Sequence, residues 1–189
     1  RVASIFMGVK GIISLELTAR GGEWGGPTER GIHSAFAAWV ANPVWRLVKA
    51  LSTMIGENEN EILIDGFYDG ILPLTQEKEE ALRESCDLMD ENEWKTSYAV
   101  KKFKWDLEGL ELWKKMLTVP TLNIDGIKGG YIGEGSKTLL PHEASVKMDI
   151  RLVPGMEPED MISKLRRHLD SHGFSDIEIQ EFGKAYYPS

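Results

Sequence analysis

Two stretches with a two-residue hydrophobic period, each followed by an amphipathic helix pattern, restrict this chain to few architectures. In "GIISLELTARG", residues 11–21, Ile13, Leu15, Leu17 and Ala19 alternate with Ser14, Glu16 and Thr18. In "ASVKMDIRLVP", residues 144–154, Ala144, Val146, Met148, Ile150 and Leu152 alternate with Ser145, Lys147, Asp149 and Arg151. Such alternation describes strands with one buried and one wet face. After the first strand, Asn42 stands ahead of Pro43 as an N-cap with proline at the first helical position. Val44, Leu47, Val48, Leu51, Met54 and Ile55 then recur at helical spacing, so a helix is expected over 43–55 with Gly56 closing it. After the second, a helix opens near Pro158, carries Met161, Ile162, Leu165 and Leu169, and ends before Gly173.

The remaining segments complete the order. "VPTLNIDGIKGGYIGEGSKTLLP", residues 119–141, has strand and turn chemistry, and "DIEIQEF", residues 176–182, reads as a last strand. Residues 57–118 form an insertion. Within it "EILIDGFYDGILPLT" (61–75) suggests a short strand and turns, and helices are expected over about 75–89 and 107–117. With the insertion set aside, the order is strand, helix, strand, strand, helix, strand. That is the α+β, ferredoxin-like split β-α-β plait: an antiparallel sheet with two helices on one face. The whole of 1–189 is one such domain carrying a largely helical insertion.

Composition removes several functions. Net charge is −8 and the pI about 5.1. Lys and Arg are dispersed apart from short clusters such as Lys101, Lys102 and Lys104, so no basic face marks a nucleic-acid binder. No run of about 18 apolar residues offers a membrane span. A single cysteine, Cys86, cannot close an internal disulfide, and a reducing cytoplasm is the simpler setting. No signal peptide is visible, and a start at Arg1 suggests a piece excised from a longer chain.

The motifs that first suggest chemistry fail on spacing. "GYIGEGSKT" has Ser136 where the lysine of a phosphate loop belongs, and it runs into Pro141 and a strand rather than a helix. His168 and His172 share a helical spacing of four, which could place two metal ligands together. They sit at a helix C-terminus, however, where histidine suits the dipole, and no zinc-protease glutamate follows His168. No paired carboxylates can be picked out by spacing. Two loops are left over-specified for structure alone: "RGIHSAFAAWVANP", with His33, and the segment from "GSKTLLP" to "RLVP".

Those loops carry a resemblance. "GVKGIISLELTARG", "IHSAFAAWVANPVWRLVKAL", "ILIDGFYDGILPLT", "GYIGEGSKTLLPHEASVKMDIRLVPGMEPEDM" and "LDSHG", in this order over nearly the whole chain, resemble the lid, or dimerisation, domain of carnosinase-like and cytosolic nonspecific dipeptidases. These are two-zinc metallopeptidases. The resemblance implies an enzyme part: a homodimer formed through the lid, hydrolysing peptide bonds of small peptides. Two zinc (or manganese) ions would be held by a catalytic domain that this chain lacks, with no metal ligands here and no activity expected of the chain alone. By the same resemblance His33 reaches across the dimer into the partner's active site to stabilise the oxyanion, while Thr138 and Arg151 contact substrate. Arg151 would bind the terminal carboxylate through its donor fork, although Asp149 offers it an ordinary salt bridge. The helix over 43–55, with Trp45 and Arg46 off its apolar stripe, is the expected dimer contact. One departure stands out: the glycine usual after "HS" is Ala35, with Ala37 and Ala38 following. The alternative is a stand-alone plait used for oligomerisation or small-molecule sensing.

Overall fold

In a computed structural model that describes residues 8–57, 61–86, 88 and 90–189, the two alternating runs become strands β1 (Gly11–Arg20) and, after three shorter strands, β5 (Glu143–Leu152). They pair antiparallel over their full length, so like faces meet. Ile13 lies opposite Ile150, Leu15 opposite Met148, Leu17 opposite Val146 and Ala19 opposite Ala144. All eight are buried. On the other face Glu16 meets Lys147 and Arg20 meets Glu143, the cross-strand charge pairs expected of a wet surface. A one-residue slip would exchange the two faces, which is why this register is fixed.

Between them lie β2 (Ile32–His33), β3 (Thr121–Gly129) and β4 (Leu139–Leu140); β6 (Glu178–Glu181) follows β5. The main sheet has the order β3-β5-β1-β6, with every pair antiparallel. Helix α1 (Pro43–Thr53) and the last helix, α5 (Pro158–Ser171), cover its apolar face with Leu47 and Ala50 and with Met161, Leu165 and Leu169. This is the plait expected from the sequence. Each fully buried aliphatic side chain in this layer stabilises the fold by about 2 kcal/mol relative to its exposed state.

Helix α1 begins as the sequence suggests: Val44 N–H donates to Asn42 Oδ1 at 2.9 Å. It ends two residues short of Ile55, because the backbone of Ile55 pairs with Ile62 and Gly56 N–H donates to Glu61 O. That pairing is all that forms of the expected strand in 61–75. Turns at Gly66 and Gly70, both with positive φ, break the segment. Ile62, Ile64 and Phe67 nevertheless join the main core. The rest of the insertion is helical: α2 (Gln76–Cys86), α3 (Glu91–Ser97) and α4 (Gly109–Thr118). Met89, the expected end of α2, lies outside the described residues. Helix α3 was not anticipated, although Asp90 caps it by accepting from Asn92 N–H and Glu93 N–H. Trp94 and Trp113, with ring centroids 4.6 Å apart, join α3 to α4, and Lys114 reaches Glu79 at 2.7 Å to join α4 to α2.

Candidate functional site

The two-stranded pairing of β2 with β4 organises the His33 loop. Ile32 lies opposite Leu140 and His33 opposite Leu139, and Ser34 N–H donates to Thr138 O at 3.2 Å. A short 3₁₀ turn, Ser34–Ala38, then starts with His33 as its N-cap. Ala35 N–H donates to His33 Nδ1 at 3.1 Å. A ring nitrogen that accepts from a backbone amide carries no proton, so in the neutral ring the proton sits on Nε2. That Nε2–H points at Thr138 Oγ1, 3.1 Å away. Both side chains are exposed. The chain thus presents an imidazole Nε2–H donor, steadied by a hydroxyl 105 residues further along.

The departure at Ala35 costs the loop nothing visible. Its backbone supplies the amide that orients His33, and Ala35 is not among the described residues with positive φ. Beyond it, Phe36 and Trp39 pack edge to face at 5.2 Å, and Trp39 is 75% exposed. This pair follows His33 in the same loop, and neither aromatic carries a periodic signal in the sequence.

Arg151 is elsewhere. It lies opposite Ile12 and Thr121, near the end of β5. His33 and Thr138 flank the opposite end, where β1 finishes and β5 begins. The structure therefore brings His33 to Thr138 and does not bring Arg151 to either. The salt bridge foreseen for Arg151 is present: its Nε donates to Asp149 Oδ1 at 2.9 Å, and Asp149 Oδ2 accepts from Asn123 at 3.1 Å. Among the described residues that is its only ion pair, on a side chain that is 48% exposed.

Arg46, placed off the apolar stripe of α1 by its spacing, makes its contacts within the chain. It bonds the Asp176 carboxylate, donates to Gly173 O at 2.8 Å, and lies over the rings of Trp24 (4.8 Å) and Phe174 (5.2 Å). These partners tie α1 to the turn after α5. Trp45, by contrast, is 65% exposed. His168 and His172 stack with ring centroids 4.1 Å apart, and among the described residues no third metal-type donor joins them. Among the described residues no three His, Cys, Asp or Glu side chains are grouped to hold a metal ion, so the donors present do not fit a two-metal centre.

Residues 7–176 match the family model described as a peptidase dimerisation domain. The chain is 33% identical over 144 residues to the Beta-Ala-His dipeptidase of Rattus norvegicus, covering 76% of this chain and 28% of that one. It is 31% identical to the Cys-Gly metallodipeptidase DUG1 of Saccharomyces cerevisiae, covering 74% of this chain and again 28% of the relative. Among solved structures, the M20 family metallo-carboxypeptidase Sso-CP2 from Sulfolobus solfataricus superposes with a TM-score of 0.85 at 38% identity, covering 97% of this chain and 45% of that chain. The chain thus spans under a third of these curated relatives and under half of that solved structure. No helix among the described residues is long and apolar enough to cross a membrane.

Proposed function

The chain belongs to the peptidase dimerisation-domain family, and from that membership we propose that it is the lid and dimer contact of a metal-dependent dipeptidase or related exopeptidase acting on small peptides. Metal ions belong to a catalytic domain outside this chain, where they would polarise the scissile carbonyl and activate water. What this chain adds is substrate recognition and one oxyanion donor. The lone Cys86 suits a reducing compartment such as the cytoplasm.

The separation of its two candidate sites carries this reading. From Glu143 to Arg151, β5 runs eight residue steps, about 26 Å, too far for one small peptide to touch both His33 and Arg151 of the same chain. A two-fold dimer removes the difficulty. If the β3 edges of two copies pair antiparallel, the sheet continues across the axis, and the Arg151 end of one copy is brought toward the His33 end of the other. Strand β3 is suited to this. It is an open edge, and its Ile124 and Ile127 are 46% and 53% exposed although they stand beside buried Met148 and Val146. In the resulting composite site, Arg151 of one chain would hold the substrate carboxylate while His33 of the partner subunit donates its Nε2–H to the oxygen of the reacting carbonyl. Thr138 is the positioning residue for that imidazole.

Subunit complementation in the full-length enzyme tests this. His33→Ala alone is expected to lower turnover about 100- to 1000-fold, as for loss of one oxyanion donor, and Arg151→Ala alone to raise KM. Mixed dimers of the two variants hold one intact composite site, so random mixing restores about a quarter of the wild-type rate. Absence of recovery from well-mixed dimers would place His33 and Arg151 on separate tasks.

A further inference from the structure

We propose that Lys10 and Arg151 form a two-cation site for a carboxylate, in which Lys10 is a specificity-determining residue for the free C-terminus of the peptide. This rests on the reading of Arg151 as the carboxylate contact and names a second group in it. Lys10 stands one residue before β1, on the same sheet face as Ile12. Ile12 lies opposite Arg151, so Lys10 and Arg151 are diagonal neighbours across the β1–β5 pair, within reach of each other for long side chains. The Lys10 ammonium donates to Val119 O at 2.5 Å. Among the described residues no carboxylate bridges it. The only acidic side chain on this part of β5, Asp149, is already engaged by Arg151 Nε and by Asn123.

A half-buried ammonium beside a guanidinium, with a single carbonyl as its partner among the described residues, is an unfavourable arrangement in the absence of an anion. Burial first, and the neighbouring Arg151 second, lower the Lys10 pKa to about 8. Among the described residues, the charged groups that the strand register sets beside it are Arg151 and, one step further along β5, Asp149, with Tyr186 paired alongside at Ile12. One positive charge is therefore left over locally in a chain whose net charge is −8. A carboxylate seated between Lys10 Nζ and the terminal nitrogens of Arg151 would neutralise it and accept charge-assisted hydrogen bonds from both. Perturbed groups of this kind mark binding sites more often than surface at large.

The test follows the Lys10 ε-carbon by NMR in the 189-residue chain, alone and with N-acetylglycine or its C-terminal amide. The expected result is a free titration near pH 8 that moves upward with N-acetylglycine and stays in place with the amide. Lys10→Met and Arg151→Met should each weaken N-acetylglycine binding about tenfold, as for loss of one charge-assisted partner, and Lys10→Arg should restore it without the step near pH 8. If Arg151→Met weakens binding while Lys10→Met does not, and the Lys10 titration ignores the ligand, the two-cation site is wrong and Arg151 stands alone. Binding indifferent to both substitutions overturns the two readings together.

Discussion

Two histidines of this chain have fixed tautomers for opposite purposes. His33 is exposed, and its Nε2–H is left facing a hydroxyl and open space; His168 is 2% exposed, and its chemistry is internal. Thr53 Oγ1 donates to Ala50 O at 2.7 Å, so it accepts from His168 Nε2–H at 2.9 Å. His168 Nδ1 is then buried without a hydrogen-bond partner among the described residues. Protonating it would place a charge against the stacked ring of His172, and burial, followed by that neighbour, pushes the His168 pKa below its ordinary 6.5; Asp65 and the Thr53 contact oppose this. The unfolded chain therefore takes up the proton first. Stability is intact above pH 6.5 and declines as pH falls through the folded value. Urea unfolding of the chain between pH 8 and pH 5 should show this decline, and His168→Gln should flatten it; an unchanged slope in the variant would assign the acid limb to other groups. At this scale the sequence revealed His33 and Thr138 because their segments have a recognisable order. It could not reveal that they touch, since a two-strand pairing 105 residues apart leaves no periodic trace. Lys10 was invisible for a simpler reason: one lysine before a strand carries no signal until its neighbours across the sheet are known.

Strands and helices with strong periods were legible; elements specified by tertiary contact were not. β1, β5, α1 and α5 formed where alternation and capping placed them, because their buried faces decide their structure. The expected strand in 61–75 gave way to turns, since Ile62, Ile64 and Phe67 find burial in the core without a partner strand. The open edge β3 is the element where exposure and apolar character conflict most. Long apolar edges invite pairing, and a register shift between Ile124 and Gly126 leaves Ile124 and Ile127 uncovered on the helix side. The other edge, β6, is only four residues long and begins and ends with glutamate. Self-association should therefore run through β3 and the neighbouring Trp45 face of α1. Ile127→Lys ought to raise the dimer dissociation constant by about 30-fold or more, corresponding to a hot spot of about 2 kcal/mol, with the fold preserved because the side chain is already half exposed. Sedimentation equilibrium measures this directly, and an unchanged dimer would move the contact to another face.

For the whole molecule, charge and core are segregated. Residues 57–118 hold sixteen of the thirty Asp and Glu and eight of the twenty-two Lys and Arg, so the entire net charge of −8 resides in the insertion and the plait is neutral. Two plaits can thus meet at β3 without opposing net charges, while the insertions keep each copy soluble. The core divides in a related way. Every member of the main hydrophobic cluster lies outside residues 75–118, whereas Leu82 and Trp113 are buried separately among α2, α3 and α4. Leu74 and Thr118, the two ends of that helical segment, line one cavity of about 280 Å³ together with Ile71, Leu72 and Pro73. A Gly-Ser bridge in place of residues 75–118 would therefore join two residues that border the same cavity. Such a deletion is expected to melt in one cooperative transition, to lose far-UV helical signal, and to keep the dimer mass of the intact chain, because the elements that bury the core and those that offer the edge are all retained. A broad, non-cooperative melt would show that the helical segment supports the plait. Loss of the dimer alone, with a cooperative melt, would instead transfer the self-contact from β3 to the insertion.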